Sequence, residues 1–356
     1  MTATDSLVVP LAQAPGPSVV GGKGASLGTL IRAGVPVPAG FAITVDAFAA
    51  ALGAADPSAA LRAGIAALDP ADLGAVTASA ARLREVIAAA PLPGPVAAAI
   101  AGAYAALGGE RDVAVRSSAT MEDSAAASFA GLQDTYLGVR GTAAVSGAVR
   151  RCWASLYNDE SVAYRRRIGL PEDSLSMAVV VQLMVAPRSA GVMFTRSPVS
   201  GDRSVVAIEG TWGLGSALVA GDVTPDSFVI SKITGEITGR RVSPKAITHS
   251  TAPGGTGVAV ASTPDDLRER PCLSDGEIRA LADVARRVEA HYGSPQDIEW
   301  AVLDGDAPAA ERLVLLQSRP ETVWAARDAA ASAPLAAPKS RAADHVLALF
   351  GKPQRP

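Results

Sequence analysis

The chain has 356 residues, 49% hydrophobic and 19% charged, which allows a sizeable buried core and excludes a globally disordered polymer. A net charge of −3 gives no basic field that would gather nucleic acid, and aromatic residues at 4% are too few for a single-strand stacking platform. Cys152 and Cys272 stand in no redox or metal-ligand spacing, the N-terminus shows no basic-then-apolar leader, and the alanine runs break before spanning length, so a cytoplasmic protein is expected.

Near the N-terminus, Gly21, Gly22 and Gly24 surround Lys23. Leu27, Leu30 and Ile31 then mark one face of a helix that Gly34 ends. Gly22 and Lys23 at a helix start can meet a phosphate, because amide donors and the helix dipole point the same way. A plain structural turn accounts for them equally well. The Walker loop is excluded, since Gly24 follows Lys23 and Pro17 holds the first-glycine position. Leu27 at the third-glycine position excludes the dinucleotide fingerprint. Residues 45–107 predict an alanine-rich helical scaffold, divided at Pro57, Pro70 and Pro91–Gly94, with Leu83, Val86 and Ile87 facing the core.

Residues 112–116 predict a short strand that ends at Arg116 and runs into Ser117 and Ser118, a placement suited to presenting donors to an anion. Gly131 lets the backbone approach phosphates closely, or belongs to a hairpin joining residues 114–116 and 135–139. Residues 142–167 read as one or two helices, with Arg165, Arg166 and Arg167 complementing the dipole at the last turn. Residues 176–186 carry the strongest strand signal, apolar on both faces apart from Gln182, as in a central strand covered on both sides. Where this run ends, Gln182, Leu183, Met184 and Val185 can offer an adenine backbone groups and an apolar slot, or form ordinary core.

Further strands are predicted at 190–195, 204–208 and 227–232, with Glu209 after the second, a glycine run 210–215 opening a short helix, and Gly235 turning a hairpin. Residues 250–266, rich in Thr, Gly, Ala and Pro, are expected as loop. Ser274 and Glu277 form a capping box for a helix bearing Ile278, Leu281, Val284 and Val288.

Two period-two stretches follow, 294–300 and 313–320. In the first, Asp297 and Glu299 share a face and Ile298, Trp300 and Val302 take the other. In the second, Gln317 and Arg319 lie opposite Val314 and Leu316. Symmetric closure through the polar loop 304–312 sets Glu299 against Gln317 and Asp297 against Arg319. Two carboxylates, an amide oxygen and a guanidinium on one patch suit a magnesium-bound polyphosphate, or a surface hairpin with a cross-strand ion pair. Beyond Thr322 the chain takes an Ala/Pro linker composition, and residues 345–350 read as a tail or a short docking helix.

Five motifs occur in order: Val20-Gly21-Gly22-Lys23-Gly24-Ala25-Ser26-Leu27-Gly28, Val115-Arg116-Ser117-Ser118-Ala119-Thr120, Ser128-Phe129-Ala130-Gly131, Gly191-Val192-Met193-Phe194-Thr195, and Asp297-Ile298-Glu299 with Gln317-Ser318-Arg319-Pro320. Together they resemble the nucleotide-binding domain of the pyruvate phosphate dikinase and phosphoenolpyruvate synthase family, which includes rifampicin phosphotransferase, over residues 18–324. The resemblance implies an α/β (α+β) bilobed ATP-grasp fold. Residues 1–186 would form the N-terminal lobe with the alanine-rich helices, 187–324 the C-terminal lobe, and 325–356 a linker with a disordered or docking tail.

Carried over by position, Lys23 and Arg116 would bind phosphate oxygens, beside Gly22 and Ser117, with the Gly131 loop closing over them. Gln182 to Val185 would form the adenine hinge, with Glu209 near the ribose. Glu299 and Gln317 would hold Mg2+, supported by Asp297, and Arg319 would bind the phosphoryl group in transfer. In full-length members a swivelling domain supplies an acceptor histidine, and His249, His291 and His345 lie in no such context. The expectation is therefore an ATP-binding subunit of a split phosphotransferase, which phosphorylates a histidine on a separate partner chain and releases AMP and phosphate. The rivals are a free-standing small-molecule kinase giving ADP and a non-catalytic ATP-sensing module.

Overall fold

The computed structural model describes residues 6–69, 71–120, 123–124, 127–128, 134–172, 175–253 and 257–332. It begins with an edge strand, β1 (Val8–Pro10), and a helix, α1 (Pro17–Arg32). Helix α1 breaks at Gly21, whose φ of 68° and ψ of 174° are not helical, so the longer helical segment starts at Gly22 with Lys23 in its first turn. Strand β2 (Gly40–Ile43) leads into the alanine-rich stretch. There α2 (Val45–Ala55), α3 (Ala60–Ala67), α4 (Leu73–Ala89) and α5 (Gly94–Ala106) are separated at the proline-bearing breaks read from the sequence. Asp72 caps α4 by accepting from the Ala75 amide at 3.0 Å.

Next come β3 (Val113–Ala119), the two-residue β4 (Asp123–Ser124) and β5 (Ala127–Ser128), β6 (Thr135–Val139), α6 (Thr142–Ala154), α7 (Asp159–Ile168) and β7 (Met177–Leu183). A five-stranded antiparallel sheet runs β1-β2-β7-β3-β6, with β7 at its centre. Strand β7 is apolar on both faces because both are covered. Val179 and Val181 pack with Phe48 and Trp153 of α2 and α6, while Val180 meets Val20 and Leu27 of α1.

Arg165, Arg166 and Arg167 fall in the last turn of α7, as expected, and Arg165 is in addition fully buried, donates to the Leu156 carbonyl and pairs with Glu172 at 3.5 Å. Burial pushes its guanidinium pKa down, and burial pushes the neighbouring Tyr157 hydroxyl up to about 12.

The chain continues through β8 (Pro187–Phe194), β9 (Val205–Trp212), α8 (Ser216–Val219), β10 (Asp226–Ser231) and β11 (Ile237–Arg241). Then follow β12 (Ile247–Thr251), β13 (Val258–Ser262), α9 (Asp265–Arg268), α10 (Asp275–Tyr292), β14 (Gln296–Leu303), α11 (Ala309–Arg312) and β15 (Leu313–Pro320). Six of these strands form a second antiparallel sheet, β11-β10-β9-β8-β14-β15. One face packs on α10, where Ile278, Leu281 and Val288 meet Met193, Ile208, Ile298 and Trp300. The capping box is present: Ser274 accepts from the Glu277 amide and Glu277 from the Ser274 amide.

Within 250–266, expected as loop, residues 250–251 and 258–262 instead pair as strands of the β12–β13 hairpin, and α9 begins at Asp265. The alternating β-branched residues Ile247, Thr251, Val258 and Val260 outweigh the Gly and Pro, which lie largely in the connection between the strands. Both sheets are antiparallel with helices packed on their faces, a mixed α+β arrangement. From Glu321 the chain is a separate unit, in which α12 (Val323–Ser332) opens with the Glu321 carboxylate accepting from the Trp324 and Ala325 amides at 2.7 and 3.2 Å. The expected tail at 345–350 lies outside the described residues. Among the described residues no single helix is long and apolar enough to cross a membrane.

Candidate functional site

Strands β14 and β15 pair in the register read from the sequence, with Glu299 opposite Gln317 and Asp297 opposite Arg319. At Glu299/Trp300 the register shifts by one, leaving Leu316 as the extra residue of a β-bulge. The bulge changes which side chains face where. Leu313 and Leu315 turn into the α10 core beside Trp300, and Leu316 lines the opposite, cavity side next to Gln317. Strict alternation had set Leu316 opposite Gln317. A single inserted residue undoes that rule, because the side-chain period is two.

Glu299 also stands opposite Val192 of β8, and Val192 opposite Glu209 of β9. Directly opposed residues of an antiparallel pair share a face, so Glu209, Val192, Glu299 and Gln317 form one row across the sheet. Their chain neighbours Ile208, Met193 and Ile298 fill the core behind it.

Facing this row, β3 delivers Arg116, which is 8% exposed. Arg116 Nη1 donates to the Leu316 carbonyl at 2.8 Å. Its Nη2 donates to Glu299 Oε2 at 2.7 Å and to Gln317 Oε1 at 2.6 Å. A carboxylate oxygen and an amide oxygen thus converge on one cationic nitrogen. At the outer end of the hairpin, Arg319 Nε lies 3.5 Å from Asp297 Oδ2, with the arginine side chain half-exposed.

Helix α1 is seated against both strands of the site. Ser118 of β3 donates to the Val20 carbonyl at 2.8 Å and accepts from the Gly24 amide at 3.2 Å, while Ser26 donates to the Ser318 carbonyl of β15 at 2.6 Å. Gly22 and Lys23 lie within the segment so bracketed. Gly21 makes this seat possible, since a Cβ there would stand 2.0 Å from the Ser118 carbonyl oxygen and φ is in the left-handed region. Gly21→Ala is expected to destabilise the chain by about 2 kcal/mol or more. A urea-unfolding midpoint equal to that of the wild type would remove Gly21 from this role.

Between the two sheets lies a cavity of about 350 Å3, in the size range of small-molecule sites. Arg116, Gln182, Leu183, Met184, Val185 and Glu299 line it. Gln182 is held by its own Nε2 donating to the Pro38 carbonyl at 3.3 Å. The Leu183 and Met184 amides donate to the Ala39 and Asp112 carbonyls, at 2.8 and 2.9 Å. Gly22, Lys23, Ser117, Glu209, Asp297, Gln317 and Arg319 are not among the lining residues, although Gln317 reaches the site through Arg116. The Ser117 hydroxyl donates to the Asp134 carbonyl at 3.1 Å. Gly131 lies outside the described residues.

The cavity also takes in Leu316 and residues 214–216, which sequence reasoning left unassigned. The alternation rule pointed Leu316 away, and the 210–215 run carried only a turn-and-helix signal. Among the described residues no cluster of three His, Cys, Asp or Glu side chains could cage a metal. An oxygen pair completed by ligand phosphates and water is the arrangement magnesium ordinarily takes, and the Glu299–Gln317 pair fits that donor chemistry.

Comparison with known proteins gives this geometry a family. Residues 17–339 match the family described as pyruvate phosphate dikinase, AMP/ATP-binding domain. A rifampicin phosphotransferase from a Streptomyces species is 46% identical over 313 residues, 87% of this chain and 35% of that protein. A probable phosphoenolpyruvate synthase of Methanothermobacter thermautotrophicus is 42% identical over 309 residues, 85% of this chain and 44% of that protein. The prodigiosin synthesizing transferase of Serratia marcescens is 40% identical over 309 residues, covering 87% and 32%. The chain therefore spans less than half the length of these relatives. With a match that runs over most of its length, the chain belongs to the pyruvate phosphate dikinase AMP/ATP-binding domain family.

Proposed function

We propose that the protein is a bilobed ATP-grasp unit, residues 1–186 and 187–324 being its lobes. It binds ATP with magnesium and, in the cytoplasm, passes the β-phosphoryl group to a histidine on a separate swivelling-domain chain, while the γ-phosphoryl group goes to water, so that AMP and phosphate are released. One observation carries the reading: Glu299 Oε2 and Gln317 Oε1 meet at a single Arg116 nitrogen beside a nucleotide-sized cavity. Two oxygens aimed at one positive point make a place for a cation, and the guanidinium stands in for it.

Glu299 and Gln317 would hold magnesium, whose charge, when bound, neutralises the polyphosphate. Arg116 then exchanges its two side-chain acceptors for phosphate oxygens, so Glu299 keeps a cationic partner throughout. Lys23, in the first turn of the α1 segment after Gly21, and Arg319 at the hairpin end supply further positive charge where the transferred group spreads its own. Gln182 to Val185 form the wall for adenine. Neither His249 nor His291, the histidines among the described residues, lines the cavity, in keeping with an acceptor brought from outside. The names of the relatives, probable phosphoenolpyruvate synthase and rifampicin phosphotransferase, support phosphoryl transfer as the chemistry.

The test is to incubate the chain with magnesium, ATP and a purified swivelling-domain protein and resolve the nucleotides by chromatography. AMP with orthophosphate is expected, together with acid-labile phosphate on the partner. Accumulation of ADP would point to direct transfer from the γ-phosphate, and tight binding without turnover would point to a sensing module.

A further inference from the structure

Ser216, at the start of α8, borders the cavity and has no role in the reading above. Its Oγ lies 3.0 Å from Nδ1 of His249, a β12 residue only 7% exposed. The contact depends on long-range structure: the Leu214 amide donates to the His249 carbonyl at 2.8 Å and Gly213 bridges to His249, which brings the β12 hairpin beneath the cavity edge. On the other side of the imidazole, Asp222 Oδ2 stands 3.6 Å from Nε2, a nitrogen without a hydrogen-bond partner among the described residues. A carboxylate there favours the tautomer with its proton on Nε2 and leaves Nδ1 as an acceptor. The Ser216 hydroxyl then donates its only proton to His249, so that only oxygen lone pairs are left for the cavity. The chain Asp222–His249–Ser216 thereby makes a hydroxyl of indifferent polarity into a fixed acceptor.

The position of Ser216 indicates what this acceptor meets. A Cβ on its neighbour Gly215 would stand 3.7 Å from Ala190 Cβ and from the Gly191 amide nitrogen. Those residues lie on β8 between the Leu183–Val185 wall and Val192, which opposes Glu299. Ser216 therefore borders the stretch between the base end and the phosphate end of the cavity, where the sugar of a nucleotide must pass. Glu209, two strands out from Glu299 in the same row, does not line the cavity.

We propose that Ser216 is a specificity-determining acceptor for a ribose hydroxyl, and that His249 and Asp222 are positioning residues that set its polarity. This rests on the nucleotide reading of the cavity and deepens it. Loss of one such hydrogen bond corresponds to roughly three- to tenfold in affinity.

The experiment measures, by calorimetry on the full 356-residue chain with magnesium, the dissociation constants of ATP, 2′-deoxy-ATP and 3′-deoxy-ATP. The wild type is expected to prefer ATP over one of the deoxy analogues by roughly three- to tenfold. Ser216→Ala should abolish that preference by weakening ATP alone. His249→Leu should do the same, whereas His249→Asn, whose Oδ1 accepts at the Nδ1 position, should retain it, a rescue that a purely structural role would not produce. A wild type indifferent to both deoxy analogues, or a Ser216→Ala variant as selective as the wild type, overturns the assignment while ATP binding itself stands. Absence of ATP binding in the wild type overturns both this assignment and the nucleotide reading.

Discussion

Glu299→Gln is expected to lower ATP-dependent phosphoryl transfer by about 100-fold or more while leaving folding stability within about 1 kcal/mol of the wild type. The two effects separate because the carboxylate does two jobs of different cost. As a fold element, Glu299 accepts one hydrogen bond from Arg116, and its side chain is 36% exposed. A glutamine of the same shape still offers an oxygen to that nitrogen, and Gln317 and the Leu316 carbonyl continue to satisfy the guanidinium. As a cation ligand, the same residue supplies the only formal negative charge of the Glu299–Gln317 pair. Its loss leaves two amides, which are poor partners for a hard divalent ion. Magnesium titrations of AMP formation, set beside urea unfolding of both proteins, check the two halves independently. A variant that turns over within a few-fold of the wild type at the same magnesium concentration would end the proposal that this pair holds the metal.

The second large effect concerns stability. Glu277→Gln is expected to cost about 3 kcal/mol, because it disturbs a buried ionic network that anchors α10 to the sheet behind the site. Glu277 is 1% exposed. Its Oε2 accepts from Arg188 at 2.8 Å and from the Ser274 amide and hydroxyl at 2.9 Å each, and its Oε1 accepts from Arg312 at 2.8 Å. Arg188 belongs to β8 and Arg312 immediately precedes β15, so one carboxylate ties the first turn of α10 to two strands. Neutralising it would strand two partly buried guanidinium groups.

The same group makes stability depend on acid. Burial by itself raises the Glu277 pKa, but hydrogen bonds from Arg188 and Ser274, with the Arg188 charge, outweigh burial and hold the carboxyl below its ordinary value of 4.5. A carboxyl whose pKa is lower in the folded chain than in the unfolded one contributes stability above the unfolded value, and loses it as pH falls through the folded value. The wild type should therefore lose stability on acidification below pH 4.5 more steeply than Glu277→Gln. Urea midpoints collected from neutral pH downward give the comparison, and parallel pH profiles would remove Glu277 as the source.

How far the sequence could be read varies from one element to the next, for reasons of range. Local patterns held where one face of an element was unambiguous. The α10 capping box, the doubly covered β7 and the breaks among the alanine-rich helices all follow from contacts within a few residues or from covering by any apolar neighbour. The Glu299–Gln317 register followed from hairpin closure. Patterns failed where one residue or one distant partner overrode the period. The bulge at Leu316 moved a side chain to the cavity, and the β12–β13 hairpin replaced much of an expected loop.

From the sequence alone came the family and the pairing of the hairpin that carries Glu299 and Gln317, because each depends on composition and short spacing. Tertiary structure alone decided that Arg116, 183 residues from Glu299, closes on that hairpin, that Ser118 seats the Gly22–Lys23 turn, and that His249 of β12 meets Ser216 at the cavity edge. The direction of a hydrogen bond depends on which atoms meet. Between partners this far apart in the chain, that is settled by how the two sheets pack rather than by any local periodicity.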